Sequence, residues 1–336
     1  MKKHWLTGKN LGFAIFFLFL LVIPLFVNNY QLRIFIQSAI FMIFAMSLNL
    51  LMGIGGTVSF GHAAFYGIGS YTSILCLTRL GLTFTQSLPI VILVSGLAGL
   101  LLALPMSRVT GRYVTIVTLS FCEITNLVMK NWESLTRGTM GIMNIPNATL
   151  FGYQLTSKTQ LYYVVLAFVL ITYIIIAWTV DSKLGRNLKA MRDDALAAEA
   201  MGIHIFSCKV FVFCLSAIFA GIAGALYGYY MGYIDPTCFT TNQSFTCISI
   251  VVVGGLGNFL GTCIASLFLI ALPEYLRNFE FLFNYRMIVY GVILVLVMWL
   301  DHSLPGARFK QGLKNRLVGL KERITHHSSG PKLEGE

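Results

Sequence analysis

Two side chains able to move a proton or hold an ion sit inside apolar runs of this chain. Glu123 lies near the middle of VTLSFCEITNLVM, and His62 follows a glycine cluster in SFGHAAFYGIGSY. A charged acid at the centre of a membrane helix costs about 3 kcal/mol to insert, so Glu123 must face protein or water. It reads equally as a pathway-lining or gating carboxylate and as a structural glutamate hydrogen-bonded between helices. Asn126, at i+3, shares its face and is placed to help hold it. His62, together with Ser59, could line a path, but a buried neutral imidazole with one or two partners is the commoner arrangement and the favoured one. Neither group belongs to a catalytic set. The six histidines are scattered and form no H-E-x-x-H motif, and no nucleophile elbow occurs. The seven cysteines lack CxxC or Cys/His ligand spacing, so no metal site or disulfide framework follows. No G-x-x-x-x-G-K-[ST] is present, so the chain binds no ATP in a P-loop and needs no cofactor of its own; any ATP hydrolysis, with its Mg²⁺, belongs to a partner.

The other chemistry-bearing stretch is polar and lies between two apolar runs, DSKLGRNLKAMRDDALAAEAMGIHIFSCK, residues 181–209. Ala195–Met201 is a strong helix former with Gly202 at the natural stop. Asp193 or Asp194 can cap its first amides, and Gly202 allows a left-handed turn that sends Ile203 back toward the bilayer. The result is a thin helix on a structured loop, a shape that fits a groove on another protein. An ordinary basic inter-helix loop is the bland alternative.

The elements that position these groups follow from composition. With 57% hydrophobic and 11% charged residues over 336 positions, the chain is an integral membrane protein, not a soluble domain. Its net charge of +11 sits at the ends of apolar runs and is not interleaved with a nucleic-acid-binding motif, which excludes nucleic acid as a partner. A hydrocarbon core about 30 Å thick needs about 20 helical residues. Ten candidate runs result: 11–27, 35–52, 62–79, 87–107, 112–130, 161–180, 209–230, 243–254, 259–276 and 284–300. The expected fold class is therefore all-α, a polytopic helical bundle spanning residues 1–302 and followed by a basic tail, 303–336, with a short surface helix over 309–324. The run 243–254 is too short to span comfortably, which leaves two readings, a short span of its own or a broken or re-entrant pair with its successor. Most of the 24 Lys and Arg fall on one side if both termini are cytoplasmic. That orientation puts 181–209 inside and the Gly/Asn/Thr/Ser-rich segment 131–160, where Pro146 breaks any helix, in the periplasm. Gly-rich interruptions at 53–61 and 254–261 read either as internal repeats of the kind transporters use or as glycines that let membrane helices pack closely.

Four blocks, in order, are similar to one family. Residues 47–53 with Ser59–Tyr71 form the first; Thr115–Leu119, Glu123, Leu135-Thr136 and Gly141-Ile142 the second. Ser216–Tyr227, Val252–Gly257 and Leu272-Pro273-Glu274 form the fourth. The third is the polar loop, which resembles the cytoplasmic "EAA" loop by which permeases of ABC importers engage their ATPases, through Arg192, Asp194, Ala197, Ala198, Glu199, Ala200, Gly202 and Ile203. Together they resemble the LivM-type permeases of branched-chain amino-acid importers. The resemblance implies a bacterial inner-membrane importer working by alternating access, with Leu, Ile and Val as substrates. It also implies a LivH-type permease partner, LivG- and LivF-type ATPases that bind ATP and Mg²⁺, and a periplasmic substrate-binding protein. Related urea and short-amide permeases share the layout, and an ion-coupled transporter working alone is the alternative of a different class. The stretch from Cys238 to Cys247, with Thr240-Thr241-Asn242-Gln243, departs from the family pattern.

Overall fold

The structure, a computed structural model, describes residues 8–106, 109, 112–150, 152–276, 291, 292 and 295. The elements below belong to one compact unit, Met1–Glu280. Nine of the ten expected runs carry a helix here; the tenth, 284–300, falls almost wholly outside the described residues, as do both chain ends and the whole tail 303–336.

The long helices are α1 (Gly8–Val22), α2 (Asn29–Asn49), α3 (His62–Leu80), α4 (Phe84–Met106) and α5 (Arg112–Asn131). A one-turn helix, α6 (Glu133–Thr136), precedes α7 (Lys158–Asp181). The polar loop carries α8 (Lys183–Asp193) and α9 (Ala195–Ala200), and α10 (Ile205–Met231), α11 (Thr241–Gly254) and α12 (Phe259–Leu276) complete the unit. Helix α2 is the axis. It runs on through a π-turn at Leu50–Ile54, and from Ile34 to Ile54 the span is buried or half-buried throughout. Helices α7, α10, α11 and α12 pack around it, and the start of α3 meets it through His62 and Tyr66 against Phe44. Residues such as Leu93, Leu97 and Leu101 of α4 and Ile264 and Phe268 of α12 are exposed on the outside, as expected of helices solvated by lipid.

Contacts sort the connections into two ends. At one, Tyr30 at the start of α2 donates its hydroxyl hydrogen bond to Glu274 near the end of α12 (2.6 Å), and Tyr162 of α7 donates to the Leu20 carbonyl of α1 (2.7 Å). Residues 131–157 gather there. They hold more structure than Pro146 suggests: α6, a 3₁₀ turn at Gly138–Met140, and a short hairpin pairing β1 (Thr149–Leu150) with β2 (Tyr153–Gln154). At the other end lie residues 55–58, the loop 182–204 and the α11–α12 elbow.

Helix α11, with 14 residues, is about 21 Å long and cannot cross the bundle alone. The chain solves this with an irregular lead-in, residues 232–240, carrying a 3₁₀ turn at Pro236–Phe239, that dips between helices before α11 begins. Its backbone is satisfied from the side. Asn126 of α5 donates to the carbonyls of Pro236 (2.6 Å) and Phe239 (3.4 Å), and Asp235 accepts from the amides of Thr237 (2.6 Å) and Cys238 (3.1 Å). Irregular backbone at membrane depth is tolerated where protein groups take up its carbonyls and amides. The Cys238–Cys247 stretch that departs from the family pattern is the end of this lead-in and the first turns of α11; its cysteines are free thiols. The segment 55–61 does the same from the opposite end. Gly61 stands against the Thr118 backbone, and the Phe60 amide donates to Thr118 Oγ1 (3.2 Å), so α3 starts about 9 Å along α5 from Arg112.

Candidate functional site

Glu123 occupies the exposed side of α5, a stripe that also carries Ser120, Ile116 and Leu127. Its carboxylate accepts a hydrogen bond from the hydroxyl of Thr241, the first residue of α11. The outward side of α11 continues the polar surface through Asn242, Thr246 and Ser249, with Phe245 among them. Thr246 and Ser249 return their hydroxyls to the carbonyls of Asn242 and Phe245 in the preceding turn (3.0 and 2.9 Å), leaving their oxygens able to accept. A carboxylate beside a hydroxyl row, at mid-depth of α5, is a surface that lipid solvates poorly. Among the described residues the ion pair is Arg192–Asp193, so no described cation neutralises Glu123.

Asn126 is not the partner of Glu123. It is buried, 4% exposed, and its amide is committed to the lead-in carbonyls, because the roughly 60° between i and i+3 straddles the edge of the buried side of α5, leaving Glu123 outside it and Asn126 within. His62 and Ser59 are wholly buried, away from that face. His62 Nε2 lies 2.7 Å from Ser47 Oγ, and the ring packs against Phe44, with centroids 5.3 Å apart. Ser59 Oγ and His62 Nδ1 meet no partner among the described residues. The expected group of Ser59, His62, Glu123 and Asn126 therefore splits into a buried pair at the start of α3, an outward acid, and a brace.

The polar loop folds as two helices, where the sequence suggested one. Helix α8 forms because Ser182 caps it, accepting from the Gly185 amide (3.2 Å), and because Gly185, Leu188 and Met191, spaced by three, turn one face inward. The cap of α9 is Asp194: its Oδ1 accepts from the amides of Leu196 (2.9 Å) and Ala197 (3.0 Å). Asp193 is instead paired with Arg192 (2.8 Å). At the other end Gly202 has φ +81°, its amide donates to Glu199 O (2.9 Å), and the Ile203 amide donates to Ala198 O (3.1 Å), a complete Schellman closure. The six-residue helix buries Ala198 and exposes Leu196 (81%) and Met201 (83%). Arg192 differs from the outward-facing residues of its set: its Nη1 donates to the Gly53 carbonyl (2.7 Å) at the end of α2.

One polar residue escaped the sequence reading. Asn49, wholly buried in α2, donates from Nδ2 to Thr262 Oγ1 (2.7 Å) and Gly255 O (3.3 Å), and its Oδ1 accepts from the Gly257 amide (2.8 Å). The signal was an amide side chain inside an apolar run. The two Gly-rich interruptions meet at this knot, with Gly53 against the Gly257 backbone.

Comparison with known proteins settles the family. Residues 30–298 match the family described as branched-chain amino acid transport system / permease component. The chain belongs to this permease family. It is 32% identical to the LivM high-affinity branched-chain amino acid transport permease of Salmonella typhimurium over 340 residues, covering 91% of this chain and 79% of that protein. Identity to LivM of Escherichia coli K12 is also 32%, over 339 residues, 92% of this chain and 79% of the relative. LivH of Salmonella typhimurium is 25% identical over 275 residues, 76% of this chain and 87% of the relative. No solved structure matches the chain. The permease is thus a multi-pass inner-membrane transport subunit, all-α, working with partner subunits. In it, the Ala197–Gly202 stretch is the second half of the doubly capped helix α9 and its C-terminal closure, and Glu123 is the acid of the α5–α11 face.

Proposed function

We propose that this permease is the LivM-type half of an ATP-driven importer of Leu, Ile and Val, paired with a LivH-type permease. On this reading LivG- and LivF-type subunits bind ATP and Mg²⁺, and a periplasmic binding protein delivers substrate at the end where residues 131–157 gather. That end is the periplasmic one, and residues 182–204 and both termini are cytoplasmic. The observation that carries the proposal is α9. A helix of six residues is marginal in water, yet here it is capped at both ends and holds two large apolar side chains away from the bundle. Such a helix is stabilised further by seating in a groove of another subunit. Asp194, Ala197, Ala198, Glu199, Ala200, Gly202 and Ile203 form and close it, and Leu196 and Met201 are its contact points.

The α5–α11 face supports the translocation half of the reading. Glu123, Thr241 and the hydroxyl row are solvated by a second permease and the path between the two subunits. Ser59 and His62, buried in this conformation, come into reach of the path if the start of α3 moves. No covalent chemistry is needed: closure of the ATPases displaces α9, and rigid helices carry the displacement to the permease interface.

The test is purification in mild detergent followed by reconstitution. ATPase and permease partners should accompany the chain, and uptake of Leu, Ile or Val should require ATP and the binding protein. Uptake driven by an imposed proton gradient without ATP would overturn the proposal in favour of an ion-coupled transporter, and uptake of urea or short amides alone would overturn the substrate.

A further inference from the structure

We infer that Arg192 is a positioning residue for transport, the latch that joins the α8–α9 segment to the α2–α11–α12 junction. The inference rests on the coupling role of α9 proposed above.

Arg192 grips one turn of the chain in two ways. Its Nη1 donates to the Gly53 carbonyl, one of the acceptors left open at the end of a helix, inside the π-turn that closes α2. Its aliphatic stem lies on Gly56, where φ is +68° and a Cβ would stand 2.5 Å from Arg192 Cγ and 3.0 Å from its Cβ. The guanidinium is oriented by Asp193, whose Oδ1 accepts from Nε (3.0 Å) and Nη2 (2.8 Å). That pair is exposed, so its contribution is orientation more than stability.

The other side of the same turn is joined to the transport face. Gly53 touches Gly257, and Asn49, one residue before the π-turn, holds Gly255, Gly257 and Thr262. From that elbow α11 runs without interruption to Thr241, which meets Glu123. A displacement of α8 at Arg192 therefore moves the Gly53–Gly56 turn, the elbow, and the foot of α11 in sequence. A π-turn differs from α pairing by one residue of register, so Leu50–Ile54 can re-pair in a single step, and such turns recur at functional sites. Arg192 also borders a cavity of about 460 Å³ lined by Thr57, Met191, Ala195 and Lys209, which gives the side chain room to swing.

The experiment compares substrate moved per ATP hydrolysed in proteoliposomes holding the full transporter with binding protein, for Arg192→Ala, Arg192→Lys, Gly56→Ala and the Arg192→Ala/Gly56→Ala pair. Gly56→Ala attacks the latch from the opposite side. With Arg192→Ala or Gly56→Ala the ATPase subunits should still bind and hydrolyse ATP while substrate per ATP falls about tenfold, the factor set by one charge-assisted hydrogen bond. Arg192→Lys should recover part of the ratio, since an ammonium can still reach a carbonyl. The double variant should be no worse than the worse single one, because both break one contact. If Arg192→Ala does not insert, the Lys and Gly56 variants carry the test. A wild-type ratio in both Arg192→Ala and Gly56→Ala overturns the latch, and so does loss of ATPase binding in Arg192→Ala, which would move the residue to the docking surface. Gly202→Val separates the two levels: if it abolishes ATPase binding while the latch variants behave as wild type, the coupling role of α9 stands and the latch alone fails.

Discussion

Gly202→Val tests the central functional assignment with the fewest side effects. The residue closes α9 at φ +81°, and no atom lies within 4 Å of where its Cβ would be, so the substitution meets no neighbour and its cost is conformational. For an L-residue the left-handed conformation costs about 1–2 kcal/mol, with β-branched valine at the upper end. If the Schellman closure is lost, Ile203 leaves the Ala198 carbonyl and α9 keeps only its Asp194 cap. A penalty of that size lowers the population of the docking-competent helix by a factor of about 5–30, and the apparent affinity for the ATPase subunits falls by the same factor. The assay is titration of detergent-purified permease against the ATPases, with stimulated ATP hydrolysis measured in parallel. Gly152→Val is the matched control: φ is +90°, its Cβ position is equally empty, and it sits in the hairpin at the opposite end. It should carry the same conformational cost and leave ATPase binding unchanged. Wild-type affinity and uptake in Gly202→Val would refute the reasoning, since the loop would then be only a connector.

Glu123→Gln should insert and assemble normally yet change uptake, because the amide keeps the Thr241 contact and loses the charge; unchanged uptake with a lowered melting temperature would make Glu123 structural. Asn49→Leu should destabilise the permease by about 1–3 kcal/mol, the desolvation left on the Gly257 amide and its neighbours, and should lower the melting temperature in detergent. For topology, a cysteine placed at Asn147 in a background without native cysteines should react with an impermeant thiol reagent in intact cells, and one at Ala195 should not; the reverse pattern would invert the orientation.

Much of this protein is legible along the chain because lipid imposes a length on every span. A bilayer needs each apolar run to be helical and about 20 residues long, and nine of the ten runs carry helices starting or ending within a few residues of their expected bounds. The Schellman glycine and the short helix before it are equally local, since Gly202, Asp194 and the alanines act through their own turn. What the chain could not specify is which way a polar side chain turns and what it meets far away in sequence. Glu123 and Asn126 stand three residues apart on one helix, and only packing sends one outward to Thr241 and the other inward to Pro236. Arg192 reads as one more loop cation until Gly53 is brought beneath it, and Asn49 as a stray amide until the α11–α12 elbow closes around it. These contacts join residues more than a hundred positions apart, and their partners are mostly backbone carbonyls and amides, which every residue type carries and which therefore leave no mark in the sequence.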